Sequence, residues 1–135
     1  MLNKSPSGSL CPYYYMGGEL HPLKYGSYFD DKEKLFAVID AEEAFILKST
    51  GTKNRRIWID LYETTIDDFV ATKLVEHIVK IEHKIFKLCL VGCSLKDKNR
   101  IKKLMKNRKL SIFNAVRYFS DPEEAKLWLV SENIK

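Results

Sequence analysis

The stretch from residue 57 to residue 79, IWIDLYETTIDDFVATKLVEHIV, joins two periodicities and constrains the fold more than any other part of the chain. Its first part alternates as a strand does, with Ile57 and Ile59 on one face and Trp58 on the other. Its second part has the spacing of an amphipathic helix. The apolar residues of that part are Ile66, Phe69, Val70, Leu74, Ile78 and Ile81. A buried strand that leads directly into such a helix predicts one βα unit.

The same alternation continues to the end of the chain. The run FKLCLVG is apolar enough for a strand covered on both faces, and KNRIKKLMKN is a basic helix whose apolar side carries Ile101 and Leu104. AVRYF is the last strand candidate. SDPEEAKLWLV begins a final helix, because Ser120 or Asp121 caps it and Pro122 occupies its first turn. Helices between successive strands predict right-handed crossovers and a mainly parallel sheet.

The segments before residue 57 predict an antiparallel hairpin and a short helix. YGSYF and KLFAVID flank DDKE, a polar connection of the kind that closes a hairpin. AEEAFILKST has apolar residues at helical spacing, and Gly51 follows it where a helix ends. The predicted fold class is therefore α/β, with a single open, mainly parallel sheet, an N-terminal antiparallel hairpin and helices as crossovers.

Residues 1–24 contain Gly, Pro and Ser without a sustained period, and they predict an irregular N-terminal extension. Residues 25–135 then form one domain, because no repeat or linker divides them. Tyr13, Tyr14 and Tyr15 fit two roles that the sequence leaves open. They complete a homodimer interface, or they cover an exposed edge of the domain's own sheet.

The size and composition of the chain restrict its class. Its 135 residues suffice for one domain with a single core. No apolar run approaches the roughly 20 residues that span a bilayer, and the N-terminus lacks a signal-peptide pattern, so we expect a cytoplasmic protein without a transmembrane segment. Cys89 and Cys93, in or beside a strand, fit a reduced compartment. Their spacing matches no common zinc site, and we expect neither a metal nor another cofactor.

Several short patterns together resemble the STAS superfamily. They are a strand ending in Asp60, a short turn, an Ile-Asp pair that opens a helix, a later strand ending in Val-Gly, and YFSDPEEAKLWL. The resemblance covers about residues 25–130 and implies a STAS-like domain. The superfamily includes bacterial anti-sigma-factor antagonists, which act by protein–protein contact. The partner that the resemblance implies is therefore an anti-sigma kinase or a signalling assembly.

One position departs from the pattern of the antagonists. In that family a phosphorylatable serine follows the aspartate of the turn at the start of the helix. TTIDDF aligns Asp67 with this aspartate and Asp68 with the serine. A serine kinase cannot modify Asp68. The resemblance therefore implies either a fixed mimic of the modified state or a STAS-like protein that never used the switch.

The predicted functional residues follow from the geometry of an open α/β sheet. Loops after the carboxyl ends of parallel strands gather at one edge, where partners bind. We expect loops 60–67, 92–97 and 119–122 to meet there. The predicted partner-binding residues are Thr64, Thr65, Asp67, Asp68, Cys93 and Ser94. The alternative is that TTIDD is only a good helix start, with a threonine hydroxyl as the cap.

The sequence favours a binding module over an enzyme. It has no glycine-rich phosphate loop, no nucleophile elbow and no metalloprotease motif. A receiver-type acidic site needs a lysine after the last strand, where this chain has Ser120 and Asp121. His77 and His83 lie six residues apart, so they would point in different directions on one helix. We expect them to be ordinary surface or boundary residues.

Residues 96–109 carry eight Lys or Arg residues against one acid. Such a run is most often a solvated helix face. It contains no aromatic residue, so a sequence-specific nucleic-acid reader is not predicted. A contact with a polyanion or an acidic partner would use Lys98, Arg100, Lys102, Lys103, Lys106 and Arg108.

Two functions are therefore weighed. The first is a non-enzymatic regulatory protein–protein interaction module of the bacterial cytoplasm, as the resemblance implies. The alternative is a small-molecule or lipid-binding carrier module, because STAS-like proteins also resemble one half of a lipid-carrier fold. That alternative requires an enclosed apolar pocket, with Phe36, Phe45, Phe69 and Trp128 as its expected lining.

Overall fold

The computed structural model describes residues 3–11, 13–49, 51 and 54–131. The strands within these ranges are β1 (Asn3–Lys4), β2 (Leu10–Cys11), β3 (Tyr13–Tyr15), β4 (Gly18–Lys24), β5 (Arg55–Asp60), β6 (Ile85–Val91) and β7 (Val116–Phe119). The helices are α1 (Lys32–Leu47), α2 (Asp68–Ile81), α3 (Leu95–Asn107) and α4 (Pro122–Val130), with single 3₁₀ turns at Glu82–Lys84 and Phe113–Ala115. No helix in the described part of the chain is both long and apolar enough to cross a membrane.

Strands β3 to β7 form one five-stranded sheet in the order β3-β4-β5-β6-β7. The first pair is antiparallel, and the other three pairs are parallel and joined by helices. Strands β1 and β2 form a separate antiparallel pair, which we call the N-terminal hairpin (residues 3–11). The predicted fold class is therefore confirmed: the sheet is open and mainly parallel, with an antiparallel hairpin at its N-terminal end and helical crossovers.

The predicted position of the antiparallel hairpin in the sheet was wrong. KLFAVID is not a strand but the first half of α1, and YGSYF is a loop that leads to it. Asp31 caps the helix by accepting a hydrogen bond from the Lys34 N–H at 3.1 Å. The buried residues of α1 are Leu35, Ile39, Glu42 and Ile46. The apolar stripe is therefore helical, but a buried glutamate interrupts it and hides its period.

The prediction of an irregular extension over residues 1–24 was also wrong. Residues 13–24 supply β3 and β4, which belong to the sheet. Pro22 is accommodated because β3 pairs with β4 only as far as Leu20. The Lys24 N–H, two residues further on, donates to Ser7 Oγ at 3.0 Å on that same open side. The proline nitrogen therefore points away from the parallel ladder, where a missing donor breaks no strand pairing.

The two faces of the sheet are covered differently. Helices α1, α2 and α3 pack side by side on one face over an aliphatic core, in which each fully buried Leu or Ile contributes roughly 1.5–3 kcal/mol. Helix α4 lies on the other face with a smaller and more aromatic cluster. The C-terminus of α4 is held by buried Lys87, whose Nζ donates to the carbonyls of Trp128 and Ser131, each at 2.7 Å. A cation at this position also complements the helix dipole.

Candidate functional site

Four loops meet at the carboxyl ends of the parallel strands, and we call this region the carboxyl edge (residues 25–31, 61–69, 92–95 and 120–121). The Tyr62 hydroxyl donates to the carbonyl of Ser120, and the Gly92 N–H donates to the Phe119 carbonyl at 3.4 Å. Gly92 has a φ of +94°, and a Cβ on it would lie 2.8 Å from the backbone nitrogen of Tyr62. A side chain at this glycine would therefore force the second and third loops apart. The three loops predicted to converge do so, and the loop before α1 joins them.

Thr64 links the first two loops of the carboxyl edge and does not cap a helix. Its hydroxyl donates to the Tyr25 carbonyl at 2.7 Å and accepts from the Tyr28 N–H at 3.1 Å. The Thr65 N–H donates to the carbonyl of Phe29 at 2.8 Å, while the side chain of Thr65 is exposed. The prediction of a threonine cap was therefore wrong. Thr64 has a structural role, and Thr65 presents its hydroxyl at the surface.

Asp67 and Asp68 have different environments although they are neighbours. Asp67 is the N-cap of α2 and accepts from the Val70 N–H at 2.9 Å. A hydrogen bond from Lys32, with that from Val70, holds the pKa of the Asp67 carboxyl below its usual value. Asp68 is exposed, and its Oδ1 lies 3.1 Å from Arg100 Nε. Asp67 therefore stabilises the helix start, whereas Asp68 presents charge to solvent.

Cys93 and Ser94 lie on the third loop, beside the first two. Ser94 is the N-cap of α3 and accepts from the Asp97 N–H at 3.1 Å. Burial, with a smaller contribution from the Asp97 carboxylate, raises the pKa of the Cys93 thiol to about 12. A thiol with this pKa remains protonated near neutral pH and is a poor nucleophile. The geometry therefore gives Cys93 no reactive role.

Large apolar side chains project from the carboxyl edge into solvent, which the sequence reading missed. Phe69 and Leu95 are each 72% exposed, and Phe29 is 60% exposed. Phe69 was predicted to face the core, and that prediction was wrong. The sequence contained a signal that Phe69 faces solvent, because the buried stripe of α2 is complete without this residue. The stripe consists of Ile66, Val70, Leu74, Ile78 and Ile81. Exposed apolar residues on a loop and at the starts of neighbouring helices are typical of a surface that contacts another molecule.

The same edge is acidic in a chain with a formal net charge of +5. Its four loops contain six acidic residues and no Lys or Arg. Lys32, the residue after the first loop, is paired with Asp67. Asp30, Glu63 and Asp68 are exposed on the same loops as Phe29 and Phe69. The edge therefore combines exposed apolar side chains with negative charge.

The predicted polyanion-binding residues on α3 are not equivalent. Arg100 contacts Asp68 and donates to the carbonyl of Ile66, and Arg108 pairs with Glu76. Lys98 and Lys102 line a cavity of about 380 Å³ between α3 and β7. Lys103 and Lys106 are exposed. The two arginines thus join α3 to the N-terminal end and the second half of α2, while lysines supply the outward charge.

A buried polar network, which we call the serine latch (Ser5, Ser7, Ser9, His21 and Glu42), was not predicted. Glu42 is fully buried, and its Oε2 accepts from the Ser5 hydroxyl at 2.7 Å and from the Ser7 N–H at 2.9 Å. Glu42 Oε1 lies 3.3 Å from His21 Nε2, and Ser9 Oγ lies 2.8 Å from Ser5 Oγ. The latch fixes the N-terminal hairpin to α1 and β4.

His77 belongs to a second buried network, so the expectation of a surface or boundary position was wrong for it. Its Nε2 lies 2.8 Å from the Tyr25 hydroxyl, and its Nδ1 lies 3.1 Å from Glu43 Oε1. Burial lowers the pKa of His77, and the Glu43 carboxylate opposes that shift only partly. A neutral His77 accepts from Tyr25 and donates to Glu43. The network joins the residue after β4 to α1 and α2, and its Tyr25 and His77 are buried in the core.

The apolar pocket expected for a carrier is not formed by the four predicted residues. Phe36 and Phe69 line an open depression on the outer surface of α1 and α2. Phe45 packs edge-on against His21, with ring centroids 5.7 Å apart. Trp128 lies on the other face of the sheet, in the cluster beneath α4. Secondary-structure elements therefore separate these side chains.

The described residues contain no group of three or more His, Cys, Asp or Glu side chains that could hold a metal ion. The acidic residues of the carboxyl edge serve as caps or as exposed charges. Comparison of the chain with protein-family models, with curated proteins and with solved structures finds no match.

Proposed function

We propose that this chain is a non-enzymatic regulatory module that binds a partner protein through its carboxyl edge. The observation that carries the proposal is the exposure of Phe29 on the loop before α1, of Phe69 in the first turn of α2 and of Leu95 at the start of α3. Burial of large apolar side chains of this kind supplies most of the free energy in typical interfaces. The resemblance to STAS proteins, which stays a resemblance, favours the same edge and a cytoplasmic setting in bacteria.

The charge of the edge indicates the chemistry of the partner. Asp30, Glu63 and Asp68 add exposed negative charge to the loops that carry Phe29 and Phe69. A partner surface with an apolar depression and a rim of Lys or Arg residues would complement this pattern and associate faster at low ionic strength. In the STAS interpretation that partner is an anti-sigma kinase or a component of a signalling assembly.

The polar groups of the edge support binding over catalysis. Asp67 and Ser94 cap helices, Thr64 bonds the loops together, and the pKa of Cys93 lies far above neutral pH. A carboxylate at Asp68 supplies permanent negative charge near the start of α2. The proposal therefore assigns this position a constant electrostatic role in place of a phosphorylation switch.

The proposal is tested by affinity capture from the native cell with matched variants. Asp68→Lys and Phe69→Ser change the edge, whereas Glu19→Lys and Leu47→Ser make the same kinds of change at exposed positions away from it. A partner retained by wild type and by both controls, and lost with both edge variants, is the expected result. An identical set of captured proteins for all variants would contradict the proposal.

Two further roles stay predictions with their own tests. A homodimer would use the edge strand β3, where Tyr14 is exposed, whereas Tyr15 donates to Glu123 within the chain. Light scattering of wild type and Tyr14→Ser distinguishes dimer from monomer.

Contact with a polyanion would use the exposed Lys102, Lys103 and Lys106. It predicts salt-dependent retention on heparin that a triple Gln variant loses.

The alternative function, small-molecule binding, has one observation in its favour. The N-terminal hairpin and the sheet enclose a cavity of about 400 Å³ whose accessible lining is mainly apolar. It lies away from the four residues expected to form a carrier pocket. A compact ligand, and not a lipid chain, fits a cavity of this size.

A further inference from the structure

The cavity beneath the N-terminal hairpin lies where the two helical layers leave the sheet uncovered. Helix α4 ends near the start of β4, where its last residue, Val130, packs on Gly18. A Cβ added to Gly18 would lie only 2.6 Å from Cγ1 of Val130. The other end of β4 is covered by the hairpin. Residues that line the cavity include Leu10 from the hairpin and Tyr13, Lys24, Trp58 and Asp60 from the sheet.

The position of the cavity is one at which α/β proteins bind ligands. Lys24 and Asp60 are the last residues of β4 and β5 and face each other across the parallel pair. Ligands in open α/β sheets bind beyond the carboxyl ends of the strands. The volume, about 400 Å³, also falls within the range of about 300–1,000 Å³ that is typical of small-molecule sites.

The N-terminal hairpin, which covers the cavity, is held in place by hydrogen bonds to residues distant in sequence. Ser5 and Ser7 donate to the buried carboxylate of Glu42 on α1. The Lys24 N–H donates to Ser7 Oγ at 3.0 Å, and Lys24 Nζ donates to the Gly8 carbonyl at 3.3 Å. The hairpin is therefore held at both the helix and the strand, which preserves the space beneath it. A preformed cavity binds without the cost of ordering its walls.

The charged residues at the cavity indicate the sign of the charge that a ligand would carry. Two lysines, Lys4 and Lys24, are among its lining residues, with one acidic residue, Asp60. Among the described contacts Lys24 and Asp60 form no ion pair, although they are opposite each other in the ladder. The Asp60 carboxylate instead accepts from the Tyr62 N–H at 3.0 Å. The excess of cationic groups favours an anionic ligand.

We propose that this cavity binds a small aromatic carboxylate. The aromatic ring packs against Trp58 and Tyr13, and the carboxylate is held by Lys24 and Lys4. Aromatic side chains in the wall favour a planar, apolar ligand body, and an ammonium group favours a compact anion. This binding role does not depend on partner binding at Phe69 and Asp68.

The test uses the full chain and 3-phenylpropionate as the probe, with 3-phenylpropan-1-ol and 3-phenylpropylamine as neutral and cationic analogues of the same body. Binding is followed by amide and indole NMR shifts. We expect saturable binding with a Kd on the order of 1 mM, as suits a ligand of this size. We expect the two analogues to bind at least about fivefold more weakly. The largest shifts should include the indole N–H of Trp58.

Matched variants separate a specific site from adventitious binding. Lys24→Gln keeps the backbone hydrogen bond to Ser7 and should weaken binding about fivefold or more. Lys103→Gln removes an exposed lysine of α3 and should leave the Kd unchanged, as should Phe69→Ser at the carboxyl edge. Equal binding of the acid and the alcohol, an unchanged Kd for Lys24→Gln, or absence of saturation up to about 20 mM would each overturn the proposal.

Discussion

The carboxyl edge and the serine latch are both rich in polar residues, yet they use them differently. At the edge, Asp67 and Ser94 each accept from a backbone N–H three residues further along the chain. In the latch, Ser5 and Ser7 reach Glu42, which is 37 and 35 residues away. Local caps leave the surface of the edge accessible to a partner. The long-range latch is buried, and its role is to hold the N-terminal hairpin.

The largest loss of stability is expected for Glu42→Ala in the serine latch. Removal of the carboxylate leaves the buried Ser5 and His21 and the half-buried Ser7 without their acceptor, so the free energy of unfolding should fall by about 3 kcal/mol. Glu33→Ala on the same helix is the control, because Glu33 is exposed and should cost no more than about 0.5 kcal/mol. Urea unfolding measures both. Equal losses would contradict the assigned difference between buried and exposed glutamates.

The stability that Glu42 contributes should also depend on pH. Burial alone would raise the pKa of Glu42, but hydrogen bonds from His21, Ser7 and Ser5 outweigh it and lower the pKa from its ordinary value of 4.5. The unfolded chain therefore binds the proton more readily. The stability contributed by Glu42 is complete above pH 4.5 and is lost as the pH falls through the folded pKa.

Glu42→Gln tests this sign. The wild type should be more stable than Glu42→Gln at neutral pH, and the difference should shrink as the pH falls below 4.5. Unfolding curves at a series of pH values provide the measurement. A difference that grows on acidification would mean that the folded pKa of Glu42 is raised.

A smaller effect separates the two neighbouring aspartates of the carboxyl edge. Asp67→Ala removes the N-cap of α2 and should cost about 1 kcal/mol. Asp68→Ala removes only an exposed ion pair with Arg100 and should cost less than about 0.5 kcal/mol. Thermal or urea unfolding distinguishes them. The reverse order would show that the cap has been assigned to the wrong residue.

The fold class could be predicted because strand and helix periodicities alternate clearly from residue 55 onward. Local signals were also sufficient for the start of α4, where Asp121 accepts from the Glu123 N–H at 3.0 Å and Pro122 follows the cap. The prediction failed where a polar residue is buried by distant partners. Glu42 obscured the apolar stripe of α1, and β4 could not be recognised without the hairpin that covers it.

The meeting of the loops was predicted more accurately than the roles of their residues. The sequence predicted which loops converge, because the order of strands and helices determines which loops meet. It emphasised residues that the structure uses as caps and links, such as Asp67 and Thr64. It missed Phe29 and Leu95, because a loop residue and the first residue of a helix have no periodicity to show whether they face the core or solvent.

The central claim, that the carboxyl edge binds a partner protein, is tested most directly by site-specific photocrosslinking in the native cell. A photoreactive phenylalanine analogue is placed at Phe69, which is 72% exposed, or at Leu47, which is 42% exposed at the opposite end of the parallel strands. We expect a discrete adduct with one protein from position 69 and none from position 47. No adduct from position 69, or the same adducts from both positions, would contradict the claim.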